Sequence, residues 1–539
     1  MYQETAKGID DFHKLITENK LYIDKTLFIK EFIETGDEVT LIARPRRFGK
    51  TLNLSMVKYF FDIREDYSYL FTGLNIKEYD KYSEYINKYP VIYLTLKECK
   101  QNNFDNFFEQ LKLIIRDICK DYQFIETSDK LDKVDKEQFL SLKNLTASDT
   151  IYATSLKILS RMLYRYYEKP VYILLDEYDA PIQRGYLEGY HDEIVSFMQT
   201  FMGSAFKTNP SLKQGLITGV TRVSGSDLFS SFNNLETSTV LDIAYSQYFG
   251  FTKEEVMMLL NKYDLKEDYD KVKDMYDGYL FGETNIYNPW SIICYLKNPM
   301  HTLKTYWVNT GGTDILKKLI ETSDNEVQEA FNNLIVNGYI NDVRVNENLT
   351  FTDLNTYHDI WSFFLYAGYL TVYEFINPDE VVNLRVPNKE ILKNLSDIIK
   401  RWFENNVKGF NELINSLKEN DMETFKILLE EKLLQTSYYN FERESNYQTF
   451  LLGLLLSGDI NITSETERGY GRCDIVASYK DNVYIFELKK VRDESLIDET
   501  IKQAFKQIED KKYDVNFDNK KITKVVIVFV NKKFKLEYK

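Results

Sequence analysis

The chain has 539 residues, of which 44% are hydrophobic and 28% charged, with a formal net charge of −15; this balance excludes a disordered polymer and a membrane-embedded bundle. Its length exceeds what one hydrophobic core organises, since domains usually hold roughly 100–200 residues. Four cysteines, Cys99, Cys119, Cys294 and Cys473, stand far apart with no paired spacing, which excludes a disulfide or zinc framework and points to a reducing compartment.

No apolar run reaches the ~18 residues of a membrane span, and the opening MYQETAKGIDDF lacks the basic start and apolar core of a secretion signal. A cytoplasmic protein with no membrane partner is expected. The acidic charge argues against a protein that coats DNA along its whole surface, so any nucleic-acid surface must be local. The Lys-rich stretch Lys511 to Lys539 is one candidate, and a solvated edge of an α/β domain explains it equally well.

In chain order, short apolar runs at Val39 to Ala43, Val91 to Leu96, Val171 to Leu175 and Gly215 to Val220 alternate with helical stretches, the pattern of a parallel α/β sheet. From about Thr252 to Tyr438 amphipathic helices such as Glu390 to Phe403 and Met422 to Leu434 dominate. After Tyr439 the pattern reads helix, three short strands, helix and a final strand, Val525 to Val530. The expected division is therefore an α/β domain at 1–250, a mostly helical middle at 251–435 and a small α/β domain at 436–539.

The segment VTLIARPRRFGKTLNLSMVKYFF joins an apolar strand through a basic loop to Gly49-Lys50-Thr51 at the start of a helix. Such a loop can cradle phosphates: glycine lets backbone N–H groups close on the oxygens, Lys50 reaches the outer phosphates, and the Thr51 hydroxyl serves Mg²⁺. The usual first glycine of GxxxxGK[ST] is replaced by Arg44. Downstream, Val171 to Glu177 is an apolar strand ending in two carboxylates, where Asp176 can order Mg²⁺ and Glu177 can polarise an attacking water. The strand GLITGV ends at Thr221 and Arg222, where a sensor of the outer phosphate would lie, and Arg46 and Arg47 flank the loop as further phosphate contacts.

The segment GRCDIVASYKDNVYIFELKK reads as a β-hairpin with a turn near Lys480 to Asn482. A turn centred on Lys480-Asp481 sets Asp474 across from Glu487, and a centre one residue later sets it across from Lys489. Either register puts all three on one face. Two carboxylates and an ammonium on a partly apolar strand face are costly unless they hold something. A divalent cation, Mg²⁺ or Mn²⁺, suits these oxygen ligands, with Lys489 stabilising charge or positioning a nucleophile. The four histidines, His13, His191, His301 and His358, show no ligand spacing.

The segments RPRRFGKT, LLDEYDAPI, TGVTRVS, YDGYLFG and IYNPWS, in this order, resemble the bacterial AAA-ATPase-like family that carries a PD-(D/E)xK domain at its C-terminus, and the likeness spans nearly the whole chain. The resemblance implies that Arg44 is normal for the loop, that the nucleotide is ATP, and that a helical or winged-helix region follows the ATPase core as in STAND-type switches. It also implies that Tyr22 to Thr26 and Asn288-Pro289-Trp290 lie near base or ribose, although a helix-opening proline and a core aromatic account for the latter without a ligand. The C-terminal αβββαβ order is similar to that of the PD-(D/E)xK fold, whose first helix often adds an acid, here Glu444, and whose later helix carries Gln507 in QAFKQIEDKKY.

The expectation is an ATP-gated, Mg²⁺-dependent endonuclease acting on nucleic acid, DNA ahead of RNA. The alternative is a nucleotide-switched regulator that grips nucleic acid or protein without cleaving it. A DNA-translocating motor ranks last. The AAA-like resemblance leaves room for a homo-oligomer.

Overall fold

The computed structural model describes residues 4–5, 7–221, 228–229, 232–307, 338–347, 356–377, 381–406, 410–435, 460–468, 471–515, 517, 520–530 and 533–539, together with isolated positions within 315–334, 349–354 and 447–455. The chain packs as two compact units, Met1–Ile315 with Asn341–Glu390, and Leu316–Ile340 with Ile391–Lys539. Among the described residues no helix is long and apolar enough to cross a membrane.

The first unit is built on five parallel strands, β1 (Val39–Ala43), β2 (Val91–Thr95), β3 (Val171–Asp176), β4 (Leu212–Gly219) and β5 (Leu235–Ser238), in the order β2-β3-β4-β1-β5. Every residue of β1 and β3 is buried. Strands covered on both faces need such continuous apolar runs rather than alternation. Helices Lys50–Phe61, Phe104–Asp121, Ser155–Tyr167 and His191–Phe206 cover the sheet. Phe61 of the first stacks on Tyr172 of β3 with ring centroids 3.9 Å apart. The β5 sequence Leu-Glu-Thr-Ser carries no strand signature, because an edge strand with partly exposed residues needs no apolar run.

The rest of this unit is mostly helical. Helix Lys253–Lys262 starts on a capping box in which Thr252 and Glu255 satisfy each other's backbone N–H groups. Helix Pro289–Lys297 is capped by Asn288, and helix Tyr357–Ala367 by Thr356. This stretch also holds two small antiparallel pieces: the hairpin β6 (Tyr279–Phe281) with β7 (Thr284–Ile286), and the sheet β8 (Tyr339–Arg344), β9 (Thr371–Asn377) and β10 (Val381–Arg385) in the order β8-β10-β9. The amphipathic helix Lys389–Asn406 begins at the end of the first unit and continues into the second.

The second unit carries a mixed sheet of β11 (Asn461–Arg468), β12 (Gly471–Tyr479), β13 (Asn482–Lys490), β14 (Lys521–Val530) and β15 (Lys533–Tyr538), paired in chain order. Only β13 and β14 run parallel, because helix Ile497–Asp510 provides the crossover between them. That helix buries Ile501, Ala504, Phe505 and Ile508 against Val476, Val483, Ile485, Val526 and Val528. The opposite sheet face, including Ile475, Phe486, Leu488 and Ile527, packs on Leu413, Leu417, Phe425 and Leu429 from helices Phe410–Lys418 and Met422–Gln435. The edge strand β15 extends the sheet one strand beyond the expected order. Its Lys533 and Lys535 pair with Glu494 and Asp498, and Lys524 of β14 pairs with Asp514, so these members of the Lys-rich stretch are neutralised locally.

Candidate functional site

Because β1 to β5 are parallel, their C-terminal ends share one edge of the sheet, and the loop Arg44 to Gly49 leaves β1 there. Gly49 takes a left-handed backbone, φ 86°, immediately before helix Lys50–Phe61; a side chain there would be strained. Lys50 and Thr51 therefore occupy the first helical turn. The Lys50 ammonium is buried and donates to the carbonyls of Arg44 and Pro45 at 2.7 and 2.9 Å. Burial pushes it down to about 8, against the opposing pull of Glu177, Asp179 and Asp176.

Arg44 turns away from this loop. Its guanidinium is fully buried and donates to the carbonyls of Ala43, Ser238 and Ala244 and to Ser238 Oγ, at 2.8–3.2 Å. It lies between the rings of Phe249 and Phe281, 5.6 and 5.5 Å from their centroids. Where the standard pattern has a glycine, this chain thus has a fastener from β1 to the end of β5.

Asp176, at the end of β3, is fully buried among three hydroxyls. Thr218 Oγ1 donates to Oδ1 at 2.5 Å, and Thr51 and Thr95 donate to Oδ2 at 2.8 and 3.4 Å. Burial raises this carboxyl, and the hydroxyls oppose that shift. Thr218 comes from β4, the strand lying between β1 and β3. Glu177 follows with a left-handed φ of 51°, a strained setting for a non-glycine residue. Its carboxylate sits 3.3 Å from Lys100 Nζ. Burial works to raise it, but Lys100 and Lys50 outweigh burial and hold it below its ordinary range.

Of these groups Lys50, Thr51, Glu177 and Lys100 open onto a cavity of about 340 Å³, while Asp176 lies behind its lining; the volume is within the size range of small-molecule sites. Arg46, Arg47, Lys50, Lys97 and Lys100 line it against only Asp10 and Glu177, while the Lys25 ammonium, also in the lining, is held by Glu255; the result is a local cationic surface on an acidic chain suited to a polyanion. Arg46 donates to Gln183 at 2.9 Å, while Arg47 lays its guanidinium 4.1 Å from the ring centroid of Trp290. Tyr22, Ile23, Lys25 and Pro289-Trp290, singled out by resemblance, line the same cavity. The side chains of Asp24 and Thr26 instead turn to the backbone N–H groups of Asn75 and Ile76.

Thr221 does not project into the cavity lining. It is buried, and its N–H, with that of Val220, donates to Asp179 Oδ2 at 3.2 and 2.9 Å. Arg222 lies outside the described residues, as does Glu444. Sequence reasoning missed Thr218, Thr95, Lys100 and Asp179. The signal available for Asp179 was a third acid just past Asp176-Glu177, and for Thr218 a hydroxyl inside an apolar strand.

In the second unit the β12–β13 hairpin closes on the two-residue turn Lys480-Asp481, with Tyr479 opposite Asn482 and Ile475 opposite Phe486. Continuing this register sets Asp474 across from Glu487. Asp474 Oδ2 accepts the Leu488 N–H at 2.8 Å, bracing the two strands where the ladder ends. Glu487 is completely buried, and its Oε1 receives Lys489 Nζ at 2.8 Å and Gln507 Nε2 at 2.6 Å. Gln507 Nε2 also lies 3.2 Å from the Tyr513 hydroxyl. Among the described residues there is no group of three or more His, Cys, Asp or Glu side chains arranged for a metal. Asp474 and Glu487 supply hard oxygen donors of the kind Mg²⁺ takes, and Mg²⁺ commonly uses only one or two carboxylates and keeps several waters. In the first unit, Thr51 and Asp176 offer a similarly hard pair.

Residues 6–229 match the family described as "Predicted AAA-ATPase" (AAA-ATPase-like), and residues 442–539 match the PD-(D/E)XK nuclease superfamily. A protein of Azotobacter chroococcum mcd 1, described as "Uncharacterized protein in vnfD 5'region", is 23% identical over 520 residues, covering 94% of this chain and 92% of that one. The chain thus carries an AAA-ATPase-like domain followed by a PD-(D/E)XK nuclease-superfamily domain.

Proposed function

We propose that the first unit binds and hydrolyses ATP and that its nucleotide state governs a Mg²⁺-dependent endonuclease site in the second, with DNA as the substrate ahead of RNA. The observation that carries the reading is that each unit, separately, brings acids and a lysine from non-adjacent sequence into one cluster: Lys50, Thr51, Asp176 and Glu177 in the first, Asp474, Glu487, Lys489 and Gln507 in the second.

In the first site Lys50 exchanges its two loop carbonyls for phosphate oxygens, a stronger charge-assisted pairing. The Thr51 hydroxyl and Asp176 are the residues that would hold Mg²⁺, which supplies charge neutralisation on the phosphates when bound. Glu177 is kept ionised by Lys100 and Lys50 and so is able to accept a proton from an attacking water. Arg46 and Arg47 add positive charge at the cavity wall.

In the second site Asp474 and Glu487 would hold the divalent ion, Mg²⁺ or Mn²⁺, which lowers the pKa of a bound water when present. Gln507 fixes the orientation of the Glu487 carboxylate. Lys489 places a positive charge beside it, where a phosphodiester oxygen gains charge during attack.

Cleavage of supercoiled and linear DNA with Mg²⁺ or Mn²⁺, with and without ATP, tests this on the wild type, Glu487→Ala and Lys50→Ala. The expected result is cutting that Glu487→Ala abolishes and that responds to ATP only when Lys50 is present. ATP turnover with no cutting of any nucleic acid sinks the nuclease half and favours a nucleotide-switched binding protein. That second reading draws support from the acidic partners of Lys524, Lys533 and Lys535, which leave these lysines less charge to offer a phosphate backbone.

A further inference from the structure

The cavity is lined by two chemically different sets of residues. Gly49, Lys50 and Thr51 make up one, and the apolar and aromatic residues Tyr22, Ile23, Phe251, Pro289, Trp290 and Ile293 the other. Trp290 is held firmly. Its ring Nε1–H donates to the Tyr306 carbonyl at 3.1 Å, and its backbone N–H donates to Asn288 Oδ1 at 2.9 Å. A buried carboxylate braces the surroundings of both supports: Glu390 accepts the N–H groups of Tyr306 and Trp307 at 2.5 and 2.8 Å and the hydroxyl of Ser291, whose own N–H donates to Asn288 Oδ1.

Two cations lie over the Trp290 ring: the Lys7 ammonium, 5.1 Å from its centroid, and, nearer, a guanidinium from the phosphate-side loop. Arg47 is exposed, has a left-handed φ of 71° and rests its guanidinium 4.1 Å from the ring centroid. An exposed cation–π contact of this kind contributes only about 0.5–1 kcal/mol. A polyphosphate competes well for that guanidinium, because a charge-assisted hydrogen bond is roughly twice as strong as a neutral one. Removing Arg47 takes away the nearer of the two cations and leaves the rigid indole with only the Lys7 ammonium 5.1 Å from its centroid, a surface that suits a flat π-system and offers little to a flexible or saturated group.

We infer that Trp290 is the base platform of this site: a purine ring stacks on it in the place of Arg47, which moves to the phosphates. The ligand class is a purine nucleoside triphosphate, favoured over a pyrimidine one because the larger ring overlaps more of the indole. This rests on the reading of the cavity as a nucleoside triphosphate site. It adds that Lys50 and Trp290 recognise different parts of one ligand.

The test is calorimetric titration of the full chain with ATP, CTP and inorganic tripolyphosphate, using the wild type, Trp290→Phe, Trp290→Ala and Lys50→Ala. Stacking lost on truncation to alanine typically weakens binding by about tenfold to a hundredfold. Trp290→Ala is therefore expected to lose ATP affinity by about that factor while tripolyphosphate changes less than about twofold, and Trp290→Phe recovers most of the loss. Lys50→Ala should weaken both ligands. Wild type is expected to bind ATP more tightly than CTP. Trp290→Ala that binds ATP like the wild type overturns the platform, and so does an equal loss of ATP and tripolyphosphate, which would make Trp290 only a brace for the loop. Wild type that binds tripolyphosphate as tightly as ATP also overturns it while leaving the phosphate site intact. Wild type that binds neither removes the nucleotide site itself and the platform with it.

Discussion

Arg44→Gly restores the standard phosphate-loop pattern, and the structure predicts that it damages the protein instead of improving it. The Arg44 guanidinium makes four hydrogen bonds, to the carbonyls of Ala43, Ser238 and Ala244 and to Ser238 Oγ. Bonds from a charged donor contribute about 1.5–3 kcal/mol each. Against them stands the cost of burying the charge, which lowers the guanidinium to about 10 and amounts to roughly 3 kcal/mol. Glycine removes both contributions, strands buried carbonyls, leaves a void between Phe249 and Phe281, and adds backbone freedom of about 1 kcal/mol. The net loss is on the order of 4–10 kcal/mol, its lower end in line with other cases in which one member of a buried charged network is deleted. For a unit of this size that lowers its melting transition by on the order of 10 °C, readable by differential scanning calorimetry. Arg44→Lys should not rescue it, because one ammonium cannot fork to four acceptors. A glycine variant melting within about 2 °C of wild type, with tighter ATP binding, would refute the reasoning.

Three further outcomes follow from the same geometry. Burial lowers Lys50 to about 8 in the nucleotide-free protein, so its folded-state contribution is present above the unfolded value and lost as pH falls through about 8. Phosphate favours the ammonium, so binding above about pH 8 takes up a proton and weakens toward tenfold per pH unit; calorimetry in buffers of different ionisation heat reads the uptake, and an affinity flat between about pH 7 and 9.5 counts against it. Glu487→Gln should keep the fold, since a neutral amide fits the buried position beside Gln507, while reducing cleavage by at least about a hundredfold. Retained cutting by a folded variant would remove Glu487 from the site. Lys25 donates to both Glu255 oxygens at 2.6 and 2.7 Å and to the Gln247 carbonyl at 2.8 Å; Lys25→Ala strands a partly buried carboxylate and should cost about 3 kcal/mol in denaturant unfolding, with a loss below about 1 kcal/mol marking the pair as incidental.

Local pattern made much of the architecture legible. The apolar runs of β1 and β3 announced buried parallel strands, and Gly49-Lys50-Thr51 marked a loop entering a helix. In β12 and β13, period-two alternation around a polar turn narrowed the hairpin to two registers. These features depend on neighbours within a few residues, where backbone preference and side-chain period act directly. The structure chose between the registers, since the turn fell on Lys480-Asp481. It alone decided that Arg44 points into the core, that Thr218 joins Thr51 on Asp176, and that Gln507 reaches Glu487 from another element. It also decided that part of the Lys-rich C-terminus forms an edge strand with its charges paired to Glu494 and Asp498. Each of these partnerships joins residues far apart in the chain, and what selects them is burial: a polar or charged group taken out of water must find a partner, and only the packed fold determines which one lies within reach.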